Sequence, residues 1–205
     1  MDSNTIWQHI DSQRSALADI LTGLSQEQWA TPSLCEAWTV RDVAAHVAWE
    51  DVRLHQVPVP LIRARFDSNV MIRDTALRSR LSHAEIVAKI RSFEGRRVRP
   101  PFVSDMEPLT DVMVHTQDIC IPLGLDHEPP QDALMASIVR TVALNEGRLR
   151  LRPPLRNTRL VATDAEWEHG DGDRVLRGSL THLLLAVAGR RVAHAHISGD
   201  LAALD

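Results

Sequence analysis

Apolar positions in the first 150 residues recur at helical spacing. Ile6, Ile10, Leu17, Ile20, Leu21 and Leu24 share one face of a helix predicted over about residues 4–22. Thr31, Pro32 and Ser33 break that pattern. Thr39 and Asp42 then form a capping box with Asp in place of Glu. It opens a helix that carries Val40, Val43, Ala44, Val47 and Ala48, and Pro58 and Pro60 close the stretch. Ser82 and Glu85 make a full capping box ahead of Ile86, Val87, Ile90 and Phe93, and Gly95 ends that helix. Pro100 and Pro101 mark a loop. The next helix is predicted from about Glu107 to Ile121, with Pro108 in its first turn and Pro122 and Gly124 at its stop. A further helix covers roughly 131–148.

After Pro153 and Pro154 the period changes. Residues 158–163 alternate as a strand does. Residues 166–169 and 174–177 flank a Gly-Asp-Gly-Asp turn and predict a β-hairpin. Ser179 to Ala188 is a short helix capped by Gly189, and 192–197 alternate again as a strand. The pattern therefore predicts an α domain over 1–153 with a small appended α+β domain over 154–205.

Composition excludes several classes. The 205 residues are 44% apolar and 24% charged, as in soluble globular chains. The net charge of −4 and pI near 6.2 argue against a nucleic-acid partner. One basic cluster, Arg96, Arg97 and Arg99, suits a solvated helix end. Cys35 and Cys120 lie far apart with no CxxC, so neither a thiolate zinc site nor a disulfide framework is expected. Both fit buried thiols in a reduced, cytoplasmic setting. The N-terminus lacks the regions of a signal peptide, and the apolar run Leu183–Ala188 is too short to cross a membrane. Tyrosine is absent, so no tyrosyl acid or base is available.

Asp111 and His115 are four apart on a predicted helix and so project from one face. A carboxylate and an imidazole at that spacing can chelate one ion. His46 lies on another helix, among Ala44, Ala45, Val47 and Ala48, whose small side chains permit close approach to a facing helix. Two histidines and a carboxylate with one open position is the pattern of a reactive zinc site, and helical bundles host such sites in their cores. The same residues also fit a plain alternative, a core histidine and a solvated helix pair. Asp42 and Asp118 can each accept the second ring N–H of a histidine, or Asp42 can serve its helix start. His194 and His196 would share a strand face. Trp38 and Trp49 flank His46 as candidate cleft walls.

The segment from Thr31 to His46 (TPSLCEAWTVRDVAAH) resembles the first motif of the mycothiol-dependent maleylpyruvate isomerase family, within the DinB-like metal-binding four-helix bundles. Asp111 to Gly124 (DVMVHTQDICIPLG) resembles its second motif. The tail is similar as well, in Trp167 before a Gly-Asp-Gly turn, Gly178, Leu183–Leu185, Gly189-Arg190 and Ser198-Gly-Asp200, which implies a small C-terminal α/β domain. The resemblance implies a divalent metal, zinc, held by His46, Asp111 and His115, with Asp118 belonging to the matched motif. The isomerase itself typically carries Glu where this chain has the shorter Asp111.

The resemblance further implies mycothiol, a low-molecular-weight thiol, as cosubstrate for a small electrophile. Addition of a thiolate to an activated cis-alkene, rotation and expulsion would isomerise it, and simple addition or displacement would make an S-transferase. Arg190, then Arg191, is the candidate cation for an anionic substrate. Two other readings fit the residues, a metal-binding module without turnover and a zinc hydrolase with Glu50 as general base. The partners expected are small molecules, with no nucleic acid and no membrane. Monomer and homodimer both remain open.

Overall fold

The computed structural model describes residues 1–52, 54–99, 103–146 and 155–204. It is mostly helical, with a small four-stranded sheet toward the C-terminus. Two compact units divide the chain, one over residues 2–127 and one over residues 128–205 together with Met1.

In the first unit, α1 (Ser3–Thr22) starts where the Asp2 carboxylate accepts the backbone N–H groups of Asn4 and Thr5, the usual way to satisfy orphan donors of a first turn. α2 (Gln26–Trp29) and α3 (Val40–Val47) both begin at complete capping boxes, Ser25 with Gln28 and Thr39 with Asp42. Asp thus fills the role expected of Glu at the start of α3. α4 (Pro58–Arg63) and α5 (Ser68–Leu77) follow. Pro58 and Pro60 therefore open a helix as well as closing the stretch before it, since Pro at the first turn gives up only an N–H that has no partner there. α6 (His83–Arg91) begins at the Ser82–Glu85 box. α7 (Met106–Leu123) takes Pro122 into its last turn and ends at Gly124, whose φ of 64° is easy only for glycine.

α1 packs on α6 and α7, and α3 packs on α5, α6 and α7. Their inward faces make the core: Ile10, Leu17 and Leu21, Val40, Val43, Ala44 and Val47, Ile86 and Ile90, and Leu109, Val112, Met113 and Ile119, all buried. At about 1.5–3 kcal/mol for each large apolar side chain, these rows fix how α3 and α7 face each other. Arg14 is buried among them. It pairs with Glu50, donates to the Val98 carbonyl at 2.9 Å, and lies over the rings of Trp7 and Phe93.

In the second unit, α8 (Gln131–Glu146) packs on α9 (Leu180–Val187), and the Ser179 hydroxyl caps the start of α9 by accepting the His182 N–H. The expected boundary at Pro153 and Pro154 lies outside the described residues, as does the Pro100–Pro101 loop. The strands are β1 (Thr158–Ala162), β2 (Glu168–His169), β3 (Arg174–Gly178) and β4 (Ser198–Gly199), in the order β2-β1-β3-β4. The predicted hairpin of β2 with β3 is not formed. β2 pairs antiparallel with one side of β1, and β3 pairs parallel with the other, Thr158 opposite Arg174. The chain crosses the start of β1 at Gly170 and Gly172, where a Cβ would lie 2.4 Å from Thr158 O and 1.9 Å from Asn157 C. Those glycines serve a crossing rather than a two-strand turn. The predicted strand over 192–197 is a 3-10 helix, Arg191–His196. Its alternation arises from Ala193 and Ile197 turning inward, a four-residue spacing that a short apolar run shares with either period.

Candidate metal centre

α3 and α7 bring His46, Asp111 and His115 together. The Oδ1 atom of Asp111 lies 3.4 Å from His46 Nε2 and 3.4 Å from His115 Nε2. One ligand atom from each residue falls within 4.8 Å of the others. The imidazole rings meet edge to face, with centroids 4.9 Å apart. Two nitrogens and an oxygen bound tetrahedrally at zinc-like lengths stand about 3.3 Å apart along each edge, so both measured edges fit a shared ion. Asp111 Oδ2 is buried and accepts no hydrogen bond from the described residues, which is costly for a carboxylate unless a cation meets it.

Electrostatics in the trio are strong. Burial pushes the Asp111 carboxyl up, but the charges of His115 and His46 and their hydrogen bonds outweigh it and hold the group well below the usual carboxylate range. Burial pulls His115 down, but the Asp111 carboxylate, with help from Asp118 and Cys35, outweighs it and raises the imidazole well above its ordinary value. Without an ion, a proton on His115 therefore offsets the Asp111 charge.

Asp118 is fully buried one turn beyond His115 and takes its Nδ1–H at 2.8 Å. When the ring is neutral, this leaves Nε2, which faces Asp111, as the nitrogen with the lone pair. Asp42 does not do the same for His46. Its Oδ2 accepts the Thr39 N–H and hydroxyl at 3.0 and 2.7 Å, so it belongs to the helix start. His46 Nδ1 is buried without a partner among the described residues.

Trp38 walls the centre, its ring 5.6 Å from that of His46 and 6.3 Å from that of His115. Trp49 lines a cleft of about 340 Å³ with Ala45, Ala48, Arg63, Met71 and Arg78. Glu50, weighed as a solvated acid or a base, is neither exposed nor unpaired. It is buried against Arg14, and burial pushes its carboxyl up to about 8 despite that guanidinium. Arg190 lies in the second unit and donates to the Ala188 carbonyl at 2.9 Å, and Arg191 is exposed at the start of the 3-10 helix. His194 and His196 share no strand; His196 stacks on His182 with centroids 4.3 Å apart.

The sequence reading missed Cys35, treated there as a small apolar filler. Its thiol donates to Asp118 Oδ2 at 3.1 Å and lies 3.8 Å from His115 Nδ1. Cys35, His115 and Asp118 form a second cluster of ligand-type atoms. The 2.8 Å between His115 Nδ1 and Asp118 Oδ2 is too short for two ligands of one ion and has the length of a charge-assisted hydrogen bond. The signal available in the sequence was the position of Cys35 inside the first matched motif.

The model for the mycothiol maleylpyruvate isomerase N-terminal domain matches residues 10–120, more than half the chain, and spans every residue of this centre. The chain belongs to that family. Among solved structures it is similar to the mycothiol-dependent maleylpyruvate isomerase, at 15% identity and a TM-score of 0.58, and to a histidine-to-alanine mutant of it, at 16% and 0.61. Each alignment covers 98% of this chain and 93% of the other, so the shared fold includes the tail. No curated protein matches the chain. Among the described residues, no helix is long and apolar enough to cross a membrane.

Proposed function

We propose that this family member is a metal-dependent enzyme in which His46, Asp111 and His115 hold one divalent ion, zinc, and mycothiol serves as the thiol in isomerase or S-transferase chemistry. The observation that carries this reading is the pair of 3.4 Å edges about Asp111 Oδ1, with His115 fixed from behind by Asp118. α1, α3, α6 and α7 are the four helices of a DinB-like bundle, each packing on two of the others. A cytoplasmic setting agrees with two free thiols.

When bound, an ion with three protein ligands and an open position supplies Lewis acidity and lowers the pKa of an incoming thiol. The protein residues do the rest. Asp111 brings one negative charge to the centre, and His115 would give up its proton to serve as a neutral ligand there. Asp118 keeps the His115 ring in the tautomer that presents Nε2. Trp38 shields one side of both rings from water. A thiolate then adds to one carbon of an activated cis-alkene, the electron pair moves into an enolate, rotation follows about the new single bond, and expulsion of the same thiolate restores the alkene as trans. With a leaving group on the electrophile, the same attack gives a thioether. Arg190 is the proposed partner for a substrate carboxylate, since a guanidinium binds one bidentately; Arg190→Ala should raise KM more than it lowers kcat.

The test is metal content of the purified protein beside His46→Ala, Asp111→Ala and His115→Ala, with electrophile consumption followed with and without thiol. About one ion per chain, lost in the variants, together with thiol-dependent turnover supports the reading. Unchanged metal in all three variants ends it, and turnover that needs no thiol ends the thiol chemistry.

A further inference from the structure

The loop over residues 31–39 leads straight into α3, which carries His46, and it is also fastened to α7, which carries Asp111 and His115. The Leu34 N–H donates to the Asp118 carbonyl at 3.1 Å. The Cys35 thiol donates to the Asp118 carboxylate at 3.1 Å. Loop geometry is set locally: Ser33 Oγ accepts the Cys35 N–H at 3.1 Å and donates to the Trp38 carbonyl at 3.0 Å, and the Trp38 N–H returns to the Cys35 carbonyl at 3.1 Å. A bridge between Pro32 and Thr39 closes the base. One loop thus anchors Asp118 by main chain and side chain, and places Trp38 over both imidazoles.

From this arrangement we infer that Cys35 is a positioning residue of the metal centre: its S–H holds the Asp118 carboxylate at the angle that orients His115. The inference rests on the metal reading above. Asp118 Oδ2 receives two donors, His115 Nδ1–H and the thiol, from different elements. Two donors that converge on one carboxylate oxygen from different elements restrain its last torsion more than either does by itself. The thiol thus acts on the Asp118 carboxylate and, through it, on the ring orientation of His115. Cys35 is not itself a ligand in this arrangement. Its sulfur meets the Nδ1 edge of His115, whereas Asp111 and His46 meet the Nε2 edge, so the imidazole ring stands between the thiol and the shared ligand point. The chain's own thiol therefore does not fill the position an external thiol would take.

Partners that orient a ligand histidine typically affect metal affinity ten- to a hundredfold when lost. One step further out, the expected effect of removing the Cys35 donor is roughly tenfold. The test is Co(II) titration of the chelator-stripped full chain, reading the dissociation constant and the visible ligand-field bands. Cys35→Val removes the donor with a somewhat larger apolar side chain, Cys35→Ala removes the donor with a smaller one, and Cys35→Ser keeps a donor. Circular dichroism identifies which variants fold, and whichever of Val and Ala folds carries the comparison. Expected are weaker binding and altered bands in that variant, with Ser near the parent. Binding and bands equal to the parent in the donor-less variant overturn the inference, as does a folded Ser variant no better than it. A parent that binds no Co(II) instead overturns the metal reading, a separate failure.

Discussion

His115 and Asp118, one turn apart on α7, are joined Nδ1 to Oδ2 at 2.8 Å with both side chains buried. The bond sets which nitrogen of His115 faces Asp111. Asp118→Ala should therefore weaken metal binding by about ten- to a hundredfold while the chain retains its helical circular dichroism. Isothermal titration with zinc measures this, and affinity equal to the parent's would show that the bond plays no part in ligand orientation.

Metal-free and metal-loaded chains should respond to pH in opposite directions. The folded His115 value is raised, so its contribution is fully present below about 6.5 and is lost as pH rises toward the folded value. Glu50, raised to about 8, acts in the same direction between its ordinary range and that value. Asp111 is lowered, so its contribution is lost only in strong acid. The stripped protein should have a lower urea midpoint at pH 8 than at pH 6, each group limited to about 1.4 kcal/mol per pH unit. Zinc affinity should rise over the same interval, because the ion competes with the His115 proton. A stripped protein more stable at pH 8 than at pH 6 would contradict the assigned direction.

Glu50→Ala leaves the Arg14 guanidinium buried without its acidic partner. The expected cost is about 3–5 kcal/mol of unfolding free energy. Replacing both residues with apolar side chains of similar volume should recover most of it. Equilibrium urea unfolding of the single and double variants decides between this and a dispensable pair.

Ala37 holds a φ of 63° in the loop between Cys35 and Trp38. A left-handed backbone costs a residue with a Cβ about 1–2 kcal/mol. Ala37→Gly relieves that strain, though glycine also loses more freedom on folding. The net effect should be a gain of at most about 1 kcal/mol, seen as a higher thermal midpoint without loss of metal. A lower midpoint would mean that the Ala37 methyl makes packing contacts worth more than the strain.

Much of the helical part was legible because capping residues and apolar rows are local signals. The Ser82–Glu85 box, the Thr39–Asp42 box and the Gly124 stop each appear where the spacing places them. α4 and α5 carried no signal of that strength, with Pro58 and Pro60 serving as a stop in one direction and a start in the other. In the tail, alternation marked β1 and a turn signal marked β2 and β3, but the turn gave β2 and β3 each other as partners where both pair with β1. Parallel pairing needed a crossing at Gly170 and Gly172 that looks, in one dimension, like a turn.

The sequence by itself determined which residues share a helix face, and hence that Asp111 and His115 act as a unit, because a 3.6-residue period is a property of the backbone alone. It also marked the motif in which His46 stands. Only the tertiary structure decided that His46 meets that pair, that Asp42 serves a helix start while Asp118 serves a histidine, and that Cys35 reaches across from a loop to the same carboxylate. The His46–Asp111 and Cys35–Asp118 contacts join residues 65 and 83 positions apart, and burial of the core faces of α3 and α7 sets such distances, which no local spacing encodes.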